Sequence, residues 1–369
     1  MNQGTEPVKG PRPRLRQEEP YRSPQRAVPV RLNTNECPYP LPEGFARDLQ
    51  ATVGRLSLNR YPDWEAVELR TLLAERTGWP MEGLILANGS NEIIQQLLLA
   101  YGGPGRRAVT FEPTYPLYSR LSWVAHTEVV HVPVEAPFAI TPSHVERALA
   151  ADPHVVFLCS PNNPTGNAQP VETVEQLASS GALVVVDEAY IEFGGKTSAV
   201  AGSFENVAVL RTFSKAFALA GARLGYGLVS PEVAGDVKRV RLPYHVSSLT
   251  QAAGLAALRH GDEAMEILDA IRHQRDRIFE TLSAMPGVEV FPSDANFVLF
   301  RGRFDPGRTW EALLEHGVLI RDLSMVVPGC LRVTAGTPEE TTAFLDAFAQ
   351  VLGTPEPGPG HAADRSESW

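Results

Sequence analysis

Two runs near the middle of the chain, VVFLCS (residues 155–160) and ALVVVDEAY (residues 182–190), are apolar at consecutive positions before they break into polar residues. A strand that sends apolar side chains to both faces has to be covered on both, as in a mainly parallel sheet flanked by helices. The surrounding sequence alternates short apolar runs with helical patterns: LILA before Asn88, then NEIIQQLLLAY; AVTF before Glu112; VETVEQLASS; NVAVLRTF. Such alternation predicts βαβ units in a large α/β/α domain, with ligands held at the carboxyl ends of the strands. Beyond His245 the pattern changes to long helical stretches and then to the short runs VEVF, NFVLF and LRVTA, which predict a smaller α+β domain. The expected organisation is a large domain over residues 58–250 and a small domain built from residues 28–57 and 251–352. Residues 1–27 and 353–369 are polar and rich in Pro or Gly, and they are expected to form flexible or disordered tails.

At 369 residues and 43% apolar content the chain can bury a substantial core. A net charge of −10, spread along the chain without a basic patch, argues against nucleic acid and anionic membranes as partners. No segment stays apolar for the ~20 residues of a membrane helix, and the first residues contain no apolar signal core. Cys37, Cys159 and Cys330 lie far apart with no metal-type spacing, which suits reduced thiols and no bound metal. A soluble cytoplasmic protein is expected.

Several polar residues fall at the ends of the apolar runs. VVVDEAY ends in Asp187 and Tyr190, FLCSPNNPTG leads to Asn163, and LILANGSNE leads to Gly89, Ser90 and Asn91 at the start of a helix. Each has an ordinary reading: Asp187 as a helix cap, Asn163 as a turn residue, Gly89 and Ser90 as a loop before a helix. In RTFSKAFALAGARLGYGL, Lys215 sits after a hydroxyl and among small apolar residues, where a solvated surface lysine is the ordinary reading. Together they supply what pyridoxal 5'-phosphate requires: an amine, a carboxylate, hydrogen-bond partners for the ring oxygen and a phosphate cradle. Lys215 would condense with the cofactor aldehyde and later shuttle protons, its pKa lowered by flanking hydrophobes. Asp187 would keep the pyridine nitrogen protonated, and Asn163 and Tyr190 would bond the ring oxygen. The helix beginning near Ser90 would receive the phosphate, closed from the other side by Ser214 and Arg223, with Thr212 as a further candidate.

PNNPTG, VVVDEAY and RTFSKAFALAGARLGY, in that order, resemble the motif set of fold-type I pyridoxal-phosphate aminotransferases. VRLNTNECPYP, LNRYPD, ANGSNEIIQQLLLAYGGPGR, RLPYHVSSLTQAA, SDANFVLF and CLRVTAGTPEE look like the histidinol-phosphate aminotransferase family, and the likeness runs from about Tyr21 to about Phe348. It implies the fold-type I PLP-dependent transferase fold and a homodimer, with Tyr61 reaching the phosphate of the neighbouring subunit's cofactor. It implies Tyr115 stacked on the cofactor ring, where an ordinary core aromatic is the other reading. It implies Arg332 gripping the substrate's anionic end, helped by Arg321 and Tyr21, since a guanidinium fork fits phosphate or carboxylate. Arg321 could equally be a solvated surface residue.

The activity implied is reversible transfer of the amino group of L-histidinol phosphate to 2-oxoglutarate, in L-histidine biosynthesis. Two features depart from the pattern near the substrate: Cys37 stands in NECP where relatives usually carry Asn, and SMVVPGCL is longer than the usual loop before the arginine. An aromatic amino-acid (phenylalanine) aminotransferase, a threonine-phosphate decarboxylase and an aminotransferase of a specialised pathway share the architecture and stay open. A ligand-sensing domain of a transcription regulator is the non-enzyme alternative; the winged-helix domain that would precede it is not expected in the short Pro-rich N-terminus.

Overall fold

In the computed structural model, the described residues are Gly10, residues 25–194 and residues 204–353. The expected tails lie outside them, apart from Gly10, residues 25–27 and Gly353. The described residues from Val28 to Gly353 belong to one compact unit. Among the described residues the strands are, in chain order, β1 (Val30–Arg31), β2 (Leu84–Ala87), β3 (Arg107–Glu112), β4 (Glu128–Pro133), β5 (Val155–Cys159), β6 (Leu183–Asp187), β7 (Val207–Thr212), β8 (Gly225–Leu228), β9 (Val288–Val290), β10 (Phe297–Gly302), β11 (Val318–Leu319), β12 (Arg321–Asp322) and β13 (Cys330–Thr334).

Seven of these make one sheet in the order β2-β8-β7-β6-β5-β3-β4. Parallel pairing links β7, β6, β5, β3 and β4, while β8 runs antiparallel to both β2 and β7. Every residue of β5 and β6 is buried, as their unbroken apolar runs require. Alternate residues feed opposite faces: Val184 and Val186 pack into one apolar cluster with Val156 and Leu158, whereas Leu183 and Val185 join Val155 and Phe157 in another. The α/β architecture expected from the alternating runs is the one observed.

A four-stranded antiparallel sheet, β12-β13-β10-β9, follows in sequence. The helices Gly261–Ser283 and Pro338–Gly353 cover it, and Phe300, Phe344 and Phe348 interlock beneath them. β1 pairs in parallel with β11, which carries the early segment of the chain to the C-terminal part. Helix starts follow local chemistry: Ser230 and Asp305, each followed by proline, accept the N–H of Val233 and Arg308.

Candidate active site

The ends of β2, β5, β6 and β7 lie at one edge of the seven-stranded sheet, with Cys159 opposite Asp187 and both Ala87 and Thr212 opposite Gly225. After β2 the chain turns through Gly89 into the Ser90–Tyr101 helix, whose N-terminus no side chain caps. Gly89 has φ of +78°, and a Cβ there would lie 2.6 Å from Arg223 Nη2. A Cβ on Gly225 would collide with the Ser90 nitrogen, so both glycines keep this corner open. Arg223 donates from Nη1 to Ser214 Oγ at 3.4 Å, and the Ser214 and Thr212 hydroxyls lie 2.9 Å apart. Gly89, Ser90, Thr212, Ser214 and Arg223 thus converge on a cradle with the chemistry of an anion site: a helix N-terminus, hydroxyls and a guanidinium.

Lys215, on the turn that follows β7, is partly buried and donates from Nζ to Thr34 O at 3.2 Å. Burial lowers its pKa to about 8, the positive charges of Arg332 and Arg223 push the same way, and Glu36 and Asp187 oppose them. Asp187 closes β6 and is buried. Its Oδ2 accepts the Tyr118 hydroxyl at 2.7 Å and its Oδ1 the Ala189 N–H at 3.1 Å. Burial raises the Asp187 pKa, while those two hydrogen bonds and the Lys215 charge hold it down. Tyr190 is buried edge-on against Phe297, and burial raises its pKa, so the phenol keeps its proton. Asn163 accepts from Arg332 Nη1 through Oδ1, which leaves its amide N–H groups as donors.

Arg332, on β13, is 7% exposed; it also donates to Asn33 O at 3.1 Å and stacks over Phe297. Arg321 on β12 stands directly opposite it in the antiparallel pair. Cross-strand partners send their side chains to the same face of a sheet, so Arg321 and Arg332 share one. Tyr115 bonds Asn91 Nδ2 at 3.4 Å and meets Tyr118 edge to face. Tyr61 is 80% exposed and stacks on Tyr244 with ring centroids 4.5 Å apart. Tyr21 lies outside the described residues.

Sequence reasoning missed two residues. Tyr118 lies in the first turn of the helix Leu117–Val124, and Tyr115 precedes that helix, with the Tyr118 N–H donating to Tyr115 O at 3.2 Å; the second tyrosine in YPLY was the available signal. Asn35, buried between Tyr190 and Thr334, had no local signal beyond its place in NTNE. The arrangement as a whole can hold a phosphate-bearing aromatic aldehyde: the cradle takes the phosphate, Lys215 offers an amine with a lowered pKa, and Asp187 offers a buried carboxylate. Among the described residues there is no cluster that could hold a metal ion.

A model of the family "Aminotransferase class I and II" matches residues 28–348, and the chain belongs to that family. Its relatives narrow the class. The histidinol-phosphate aminotransferase of Thermobifida fusca (strain YX) is 47% identical over 355 residues, 92% of this chain and 94% of that one. That of Paenarthrobacter aurescens (strain TC1) is 45% identical over 358 residues, covering 92% and 94%. The histidinol-phosphate aminotransferase of Sinorhizobium meliloti, solved in complex with pyridoxal-5'-phosphate, is similar over 89% of this chain and 92% of that one, at 26% identity and a TM-score of 0.80.

Proposed function

We propose that the chain is a pyridoxal-phosphate-dependent aminotransferase that moves the amino group between L-histidinol phosphate and 2-oxoglutarate, in L-histidine biosynthesis. The observation that carries the reading is Lys215, an amine with a pKa lowered to about 8, at the same sheet edge as a buried carboxylate and an anion cradle. Gly89, Ser90, Thr212, Ser214 and Arg223 hold the cofactor's phosphate. Asp187 would keep a proton on the ring nitrogen, Asn163 and Tyr190 would donate to the ring oxygen, and Tyr115, whose hydroxyl accepts from Asn91 Nδ2, would pack against the ring. When bound, the cofactor supplies an electron sink for bonds at the substrate's α-carbon. Lys215 as a free amine would serve as the proton acceptor and donor beside the substrate's α-carbon, and Arg332 and Arg321 would hold the substrate's anionic end.

The small domain, residues 28–57 with 251–352, brings Arg332 to the large domain's Asn163. The exposed stacked pair Tyr61 and Tyr244 lies at the surface of a homodimer in which Tyr61 reaches the neighbouring subunit's cofactor phosphate. Three free cysteines suit a cytoplasmic enzyme. Among the described residues no helix is long and apolar enough to cross a membrane. Borohydride treatment of the yellow holoprotein followed by peptide mass mapping tests the reading. Of the four lysines, Lys9, Lys196, Lys215 and Lys238, the pyridoxyl group should be found on Lys215. A label on another lysine, or none, would overturn it.

A further inference from the structure

The hydrogen bonds around Asn35 have a direction that bears on Tyr190. Asn35 is 2% exposed and sits in the left-handed region with φ of 54°, where asparagine is among the tolerated residues. Its backbone N–H donates to Thr334 Oγ1 at 3.1 Å, and the Thr334 hydroxyl gives its proton to Asn35 Oδ1 at 3.0 Å. Asn296 Nδ2 donates to the Asn35 carbonyl at 3.2 Å. These contacts hold the amide with its oxygen toward Thr334 and its nitrogen toward Tyr190, and Asn35 Nδ2 donates to Tyr190 Oη at 3.1 Å. A phenol that accepts a hydrogen bond from behind keeps its single proton for a partner in front.

We infer that Asn35 is a positioning residue that fixes Tyr190 as a hydrogen-bond donor toward the ring oxygen of the bound cofactor. The inference rests on the proposed cofactor reading and goes beyond it, because it gives the orientation of the Tyr190 proton to a residue 155 positions away in sequence. Thr334 extends the chain of contacts toward the substrate arginine, since it lies two residues beyond Arg332 on β13 and so on the same face of the strand. The raised pKa of Tyr190 is consistent with a phenol that donates rather than ionises.

The test exploits the near-identical shapes of asparagine and aspartate. In Asn35→Asp the group behind Tyr190 becomes an acceptor and draws the phenolic proton away from the cofactor. A donor to an ionised ring oxygen favours the ionised form, so its loss should raise the pH midpoint at which the bound cofactor's visible absorbance changes. The expected rise is about one pH unit, or tenfold in proton affinity, for both Asn35→Asp and Tyr190→Phe, with little further rise in the double variant. Thr334→Val, which frees the amide to rotate, should raise the midpoint in the same sense, and Thr334→Ser, which keeps the hydroxyl, should restore it. This second pair decides the matter where Asn35→Asp does not fold, as judged by unfolding of the cofactor-free protein. An unshifted midpoint in Asn35→Asp beside a shifted one in Tyr190→Phe would overturn the proposal. So would an equal further shift from Asn35→Asp in the Tyr190→Phe background, which would mark a through-space charge effect. Failure of the unaltered protein to take up pyridoxal phosphate would instead defeat the cofactor reading itself.

Discussion

At the scale of the residue, Lys215 is useful because of where its ammonium is placed. With a pKa of about 8, about a tenth of it is the free amine at pH 7, far more than for a solvated lysine. The same depression weakens the fold while the group is protonated. The unfolded chain holds this proton more tightly than the native one, so stability rises with pH between about 8 and the ordinary lysine value. Lys215→Met should therefore stabilise the cofactor-free protein at pH 7 by up to about 3 kcal/mol. That advantage should shrink above pH 8 in paired denaturant curves, and a difference that stays constant with pH would show that the ammonium is not destabilised. In the proposed mechanism Asp187 works through its charge. Asp187→Ala should slow single-turnover proton abstraction by ~10²-fold or more with the fold retained, since a positioned ion is worth several kcal/mol in a transition state. Near-normal rates would remove Asp187 from the mechanism.

At the scale of the element, the sheet edge collects the site because six strands end there, and the seventh, β8, begins there in the opposite direction. In the turn between β2 and the Ser90–Tyr101 helix, a side chain on Gly89 would press on the Arg223 guanidinium. Gly89→Ala should displace Arg223 and strain a backbone at φ of +78°, weakening pyridoxal phosphate binding by tenfold or more in a fluorescence titration. Unchanged affinity would place the phosphate elsewhere. Much of this was legible in the sequence, because β5 and β6 announce themselves as runs apolar on both faces and the polar residues at their ends follow without a break. Lys215, Asp187 and Arg223 could be chosen on chemistry and motif together. Contacts between distant segments could not be read: nothing local in NTNE says that Asn35 meets Tyr190, and nothing in the spacing of β12 and β13 says that Arg321 faces Arg332. Those pairings are made by tertiary packing and register, which a single sequence does not encode in any short window.

At the scale of the whole molecule, the stacked pair Tyr61 and Tyr244 presents two exposed aromatic rings at the surface. If it closes a dimer whose sites are shared, Tyr61→Ala and Lys215→Ala should each be nearly inactive, and their mixture should regain up to about a quarter of wild-type activity through hybrids with one intact site. No recovery after confirmed subunit exchange would place Tyr61 outside the partner's site. In the proposed function the substrate's anion is held by Arg332 with Arg321, and loss of a hydrogen-bonded charge contact costs about 2–5 kcal/mol. The most direct measurement follows the bound cofactor's absorbance after mixing with L-histidinol phosphate, L-histidinol, phenylalanine, tyrosine, glutamate or threonine phosphate at one pH and salt concentration, with carbon dioxide release recorded for the last. The expected result is conversion by L-histidinol phosphate at least ~10²-fold faster than by L-histidinol, with glutamate also reacting. Faster conversion by phenylalanine or tyrosine, or carbon dioxide released from threonine phosphate, would contradict it.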